Sequence, residues 1–355
     1  MKPRPDLADA RTMPGVEVFQ LTEGPLPNSH VYMEAQVFAP DSKRFVLHGG
    51  AYAHGYDHRD PKRKYLLCDL EQGGRLSPLT EEVGACAPAV SPDGRFLYYF
   101  VDETAPQDGR LTLKRVGLDG SDRRTLAVLE GPRPETGTPA AKVYPLSTIS
   151  SDGRRLALGA FFSDGKTEGN PWGLLVFDLE TGAARALPLG HELGNPHMQY
   201  CRSTCGERSR DIMVQHDHGN AYSPLGEMTR RQAAAADLPL RLSDYARAAG
   251  RPPEANFSGL GIDIHVMRDD GSNPRSMPWG RDGNERLQGH QCWRGQSEWA
   301  ITSTDVFRPE GRTLVEGRAV QASGHDGLLT PGAERNVLSR GFANPRFYHF
   351  ATDRE

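Results

Sequence analysis

Internal repetition constrains this chain more than any other feature of its sequence. Three segments align without gaps: AQVFAPDSKRFVLHGG from Ala35, APAVSPDGRFLYYFVD from Ala87 and LSTISSDGRRLALGAF from Leu146. Each reads as an apolar strand, a tight turn around Asp, a basic residue and a second strand rich in β-branched or aromatic residues. Asp-Gly and Asp-Ser supply the positive φ that a short hairpin turn needs. A second hairpin follows each unit: KYLLCDLEQGGRLSPLT, LTLKRVGLDGSDRRTLAV and GLLVFDLETGAARALPL, with a further copy, IDIHVMRDDGSNPRSMPW, from Ile262. Two hairpins make four antiparallel strands. The turns at Asp41, Asp93 and Asp152 recur about every 50–60 residues, the size of a propeller blade. The fold class is therefore all-β, a β-propeller of four-stranded antiparallel blades.

The repeat places blades at roughly 31–80, 82–128, 143–190, 194–282 and 288–340, within one domain spanning the whole chain. A sixth is expected to open at Asn344 (NPRFYHFATDRE) and to be incomplete at 355. One strand cannot bury a blade face. The expectation is a longer natural protein, seven-bladed in full. The alternative is a five-bladed ring in which the last strand completes blade one. Blade four carries an insertion over 223–259, where MTRRQAAAADLPLRLSDYARAAG predicts one or two short helices.

Composition narrows the function classes. The 355 residues carry a net charge of −4 and no long basic run, so nucleic-acid binding has no electrostatic support. No stretch of apolar residues is long enough to span a membrane. The first residues, MKPRPDLADARTMPG, lack the apolar stretch of a signal peptide. A cytoplasmic protein is expected, or a periplasmic one if this start is a processed end. The odd number of cysteines, Cys68, Cys86, Cys201, Cys205 and Cys292, points to reduced, buried thiols. Trp172 and Trp279 are expected to pack between blades.

Chemistry-bearing residues are unevenly spread. Blades two and three open on bland sequences, whereas blades four and five open on NPHMQY and QGHQCW. First strands line a propeller's channel, so His197 and His290 occupy equivalent inner positions. Arg346, Asn344 and His349 follow at the expected sixth blade. The second strand of blade four ends in IMVQHDHGN, which carries His216 and His218 to a rim. Imidazoles beside amide oxygens suit a divalent ion, and an imidazole beside an acidic C–H is a general base.

Three of these segments resemble the oligogalacturonate lyase family of polysaccharide lyases. That family carries H-x-Q-[FY], then I-M-F-x-H-E-G, then G-H-E-F-W-S-P-D-G. The corresponding stretches are HMQYC from His197, DIMVQHDHG from Asp211 and GHQCWRGQSEW from Gly289. The resemblance implies β-elimination on a uronic-acid oligosaccharide. A base removes the C5 proton while a divalent metal, manganese by analogy, or an arginine neutralises the carboxylate. It makes His216 the base, with His218 a second candidate, and Arg346 a catalytic cation. His197, Gln199, Arg202, Gln291 and Trp293 become the expected substrate contacts. His290, with His349 and Asn344, becomes the expected metal set. Departures are Asp217 for the family's Glu, Gln291 for another Glu, and Arg-Gly-Gln-Ser after Trp293. Two rival readings remain. One is a non-catalytic binding propeller like those of periplasmic translocation proteins. The other is the propeller half of a serine peptidase, for which no Gly-x-Ser-x-Gly motif is present.

Overall fold

Asp turns set the frame of the computed structural model. Each Asp side chain accepts from the backbone two residues on: Asp41 from Lys43 N at 2.9 Å, Asp93 from Arg95 N at 3.1 Å and Asp152 from Arg154 N at 3.0 Å. Ser42, Gly94 and Gly153 follow at φ 57°, 70° and 71°. A Cβ on Gly94 would meet Pro40 at 2.6 Å, so glycine is required there by space as well as by φ.

The structure describes residues 1–8, 13–50, 59–104, 109–191, 193–218, 220–230, 261–279, 286–287, 289–305, 314–315, 318–319 and 344–353. Five antiparallel sheets form the propeller blades. Blade one contains Asn28–His30, Arg44–Gly49, Lys64–Asp69 and Arg75–Pro78. Blade two contains Ala85–Val90, Phe96–Glu103, Arg110–Gly117 and Arg124–Leu129. Blade three contains Ala140–Ile149, Arg155–Phe162, Trp172–Asp178 and Ala184–Gly190. Blade four contains Gln199–Tyr200, Asp211–His218, Gly261–Arg268 and Arg275–Ser276.

Blade five departs from expectation. Arg286–Leu287 and Cys292–Trp293 share one edge of Trp299–Asp305, and Asn344–His349 pairs with its other edge, from Trp299↔His349 to Thr304↔Asn344. The last strand is thus the third strand of blade five rather than the first of a sixth. Its NPRFYHF sequence imitates the NPHMQY that opens blade four, which hid the true pairing.

The core lies between blades. One apolar cluster joins blades one and two through Val46, Tyr65, Leu97 and Tyr99. Another joins two and three through Phe100, Leu113, Leu158 and Phe177. Blades three and four meet at Leu174, Met198, Tyr200 and Ile212; four and five meet at Ile264, Trp279, Trp293 and Tyr348. Each fully buried side chain of this size contributes roughly 1.5–3 kcal/mol, so the blades are held mainly face to face. Trp279 packs between blades as expected. Trp172 lies between Phe161 of its own blade and Tyr222 of the blade-four hairpin, so it too packs across blades.

Helices were expected in the blade-four insertion, but its described part is a hairpin. Ala221–Tyr222 pairs with Met228–Arg230 around a Ser-Pro-Leu-Gly turn with Gly226 at φ 72°. The turn is fixed to blade three by Lys142 Nζ donating to Gly226 O at 3.0 Å and Ser163 Oγ donating to Pro224 O at 2.5 Å. The remainder, 231–260, lies outside the described residues.

Strand order defines two faces. First-to-second and third-to-fourth turns lie on one, here the turn face. Second-to-third connections and the passages between blades lie on the other, the connection face.

Candidate functional site

The inner strand of blade one breaks after His30 and resumes near Phe38, which bridges to Phe45. Between them the chain makes a tight turn, with Ala35 N bonded to Tyr32 O at 3.1 Å. This excursion projects into the channel and carries Glu34 and Gln36 across it. Gln36 pairs with blade three: its Nε2 donates to Ile149 O at 2.9 Å, and its Oε1 accepts from Ile149 N at 2.7 Å and Thr148 Oγ1 at 2.8 Å. Glu34 reaches blade four. Its carboxylate contacts His197 Nδ1 and accepts from Gln199 Nε2 at 3.1 Å.

His197 is the hub. Glu34 on Nδ1 fixes the imidazole proton on that nitrogen and leaves Nε2 as an acceptor. Tyr144, from the inner strand of blade three, places its hydroxyl 2.9 Å from Nε2 and 2.7 Å from Asn195 Oδ1. The Tyr144 proton can serve either. Asn195 Nδ2 donates to Asp217 Oδ2 at 3.3 Å, and Gln215 Nε2 donates to Asp217 Oδ1 at 2.8 Å. Below, Gln199 Nε2 donates to Gln291 O at 2.7 Å and Gln291 Nε2 to His197 O at 3.4 Å. The network thus joins blades one, three, four and five at the connection-face mouth.

The His197 side chain is 12% exposed and that of Glu34 6%. Asn195 and His290 are exposed, and the Tyr32 ring lies 5.4 Å from that of His197. Asn195, His197 and His290 sit at φ 55°, 35° and 56°, a left-handed backbone that costs of order 1–3 kcal/mol at a non-glycine residue. Such strain at three points on one mouth marks it as the candidate site.

Other expected residues are placed elsewhere. On the second strand of blade four, Gln215 and Asp217 lie on the sheet face turned to blade five, with Met213, so alternation turns His216 with Val214 towards blade three. His216 is buried and lines a cavity of about 700 Å³ between blades three and four, with Leu189, Leu193 and Met267 among its walls. Its ring centroid is 4.6 Å from that of His265. His218 pairs in register with Gly261. Trp293 is a core residue, its Nε1 donating to Gln199 O at 3.0 Å. Gln199 and Gln291 are buried and brace the network. Arg202 lies past the turn-face end of its strand beside the Cys201 and Cys292 thiols, and burial pushes its pKa down. Arg346 stacks over Trp279 at 5.7 Å, away from His197.

The expected metal set is not assembled. His290 stands at the connection face, whereas His349 ends the third strand at the turn face, bonded to Thr352 Oγ1 at 2.7 Å. Asn344 pairs with Thr304 at the other end of that strand. Among the described residues no three His, Cys, Asp or Glu side chains form a metal-ligating group. The residues present do not fit a metal at this set, and the chemistry below runs through none. Of the cysteines, Cys68, Cys86 and Cys201 are buried as expected, with burial pushing the Cys201 thiol up to about 11. Cys205 and Cys292 are exposed.

Glu34, Tyr144 and Asp217 escaped the sequence reading. The first two lie in irregular stretches of inner strands, where the repeat shows only apolar residues. Asp217 was noted only as a departure from the family's glutamate, although it directly follows His216.

No family model and no curated protein matches the sequence. Solved structures do match in fold. An oligogalacturonate lyase in complex with manganese superposes with a TM-score of 0.53 at 18% identity, over 84% of this chain and 65% of that one. Oligogalacturonate lyase from Vibrio parahaemolyticus gives 0.53 at 17% identity, over 82% and 63%. TolB from Acinetobacter baumannii gives 0.39 at 11% identity, over 81% and 53%. The chain spans a little under two thirds of the length of the two lyases. Its β-propeller fold therefore resembles that of oligogalacturonate lyase.

Proposed function

We propose that this chain is a carbohydrate lyase that cleaves uronic-acid oligosaccharides by β-elimination. The observation that carries the reading is the Glu34–His197–Tyr144 arrangement at the channel mouth. It supplies a base and an acid in contact, on the residue matching the family's H-x-Q-[FY] histidine. The fold likeness is consistent with it.

The step balances on these groups. His197 Nε2 takes the C5 proton, and the C–H electron pair becomes the C4–C5 double bond. The C4–O4 bond breaks, and the leaving oxygen takes the Tyr144 proton. His197 then returns its proton to Tyr144 across 2.9 Å, which resets the site. Glu34 stabilises the transient imidazolium and holds the ring. His290, exposed on the same face, is assigned the uronate carboxylate in this reading.

The experiment is ultraviolet detection of the unsaturated product on a panel of oligouronides, with His197→Ala and His216→Ala in parallel. The reading expects roughly 100-fold or greater loss for His197→Ala and a smaller loss for His216→Ala. The reverse order would move the base to the blade three–four cavity. No product from any oligouronide, with or without added manganese, leaves the non-catalytic binding propeller as the better reading.

A further inference from the structure

The contact between base and acid restricts which uronide the site can cleave. We infer that it takes uronides whose C5 hydrogen and C4 oxygen lie on the same ring face, as in gluco- and manno-configured residues, and expels the leaving group by syn elimination. This inference rests on the lyase reading above and refines its substrate.

Each proton-transfer atom must come within about 3 Å of the atom it serves. In a galacto-configured uronide the C5 hydrogen and the C4 oxygen are both axial and point to opposite faces of the ring. A base and an acid serving them must stand on opposite sides of the sugar, with the ring between them. His197 Nε2 and the Tyr144 hydroxyl are 2.9 Å apart. No pyranose fits between two groups in hydrogen-bond contact.

In a gluco- or manno-configured uronide the C4 oxygen is equatorial and lies on the same side as the C5 hydrogen. One face of the sugar then presents both reacting atoms to one cluster, and His197 and Tyr144 can act together without separating.

The rest of the network keeps the pair together. Glu34 fixes Nδ1, and Asn195, itself held by Asp217, positions the far side of the Tyr144 hydroxyl. His197 is flanked by two aromatic rings, Tyr32 and Tyr144, each with its centroid 5.4 Å away. Asn195, bonded to the Tyr144 hydroxyl, is exposed. A sugar arriving there meets both groups from one direction.

The test uses the full chain on three homopolymeric oligosaccharides: a β-1,4-glucuronan, a mannuronan and a galacturonan. The readout is kcat/KM for release of the 4,5-unsaturated product. The expected result is that the glucuronan or the mannuronan is cleaved about tenfold faster or more than the galacturonan. A galacturonan cleaved as fast or faster overturns the stereochemical inference while leaving the lyase reading intact. Failure on all three overturns both. A second arm uses Tyr144→Phe, checked for an unchanged thermal melt. Its kcat should fall with KM held, and a substrate carrying an aryl oxide leaving group at C4, which needs no proton, should restore it. Failure of that leaving group to restore kcat overturns the role of Tyr144 as the acid on the shared face.

Discussion

Glu34 is the residue on which the site turns. Its carboxylate is almost wholly buried and touches His197 and Gln199 from the opposite side of the channel. A carboxylate there does two things: it selects the tautomer that leaves Nε2 an acceptor, and it would offset the charge of the imidazolium formed in the proposed step. Glu34→Gln keeps the shape and removes the charge. Its kcat should fall roughly tenfold or more with KM nearly unchanged, measured by steady-state kinetics on the best oligouronide. A rise in KM alone would make Glu34 a substrate contact instead. At this scale the sequence was half legible. His197 and Gln199 stood out because blades two and three show no such residues at their inner positions. Glu34 and Tyr144 did not, because the backbone that aims them departs from strand periodicity, and irregular backbone leaves no period to read.

Single strands show how one charge organises a blade. Glu82, at the entry to blade two, accepts from Tyr99 OH on the second strand at 3.1 Å and from Lys114 Nζ on the third at 2.5 Å. Arg123 Nη1 reaches the same Tyr99 hydroxyl at 3.1 Å, just before the fourth strand. Burial raises the Glu82 pKa, but the Lys114 hydrogen bond and charge and the Glu81 and Glu82 backbone N–H groups together outweigh it, and the carboxyl ends near 2, against an ordinary 4.5. A carboxyl depressed in the folded state contributes stability that is complete above 4.5 and lost as the pH falls through about 2. Glu82→Gln should therefore be roughly 2 kcal/mol less stable than the parent at pH 7, with the gap closing between pH 5 and pH 2. Urea titrations across that range measure it, and a gap that stays constant would assign the effect to packing. The blades themselves were readable, because an Asp turn and alternating strands are local signals. The third strand of blade five was misread because its partner Trp299–Asp305 is separated from it by 306–343, and pairing across such a distance has no local mark.

Across the whole molecule, Gln36 acts as a tie between blades that are not neighbours. Its amide pairs with Ile149 as a backbone strand would, and its own carbonyl accepts from Val90 N of blade two at 2.6 Å. Gln36→Ala would strip partners from the buried Ile149 backbone and the buried Thr148 hydroxyl. The expected cost is about 2–4 kcal/mol, read as a lowered denaturation midpoint. A loss below about 0.5 kcal/mol would mean that water replaces the amide.

The excursion at Tyr32–Gln36 also fixes an order of events during synthesis. Blade one leaves the ribosome first, yet Gln36 awaits a partner 113 residues later and Glu34 one 163 residues later. Until then both stand as polar groups inside an unfinished ring. Emergence of His197 satisfies the carboxylate and, in the same contact, sets the imidazole tautomer. The proposed base is therefore poised only after the growing chain has reached its fourth blade.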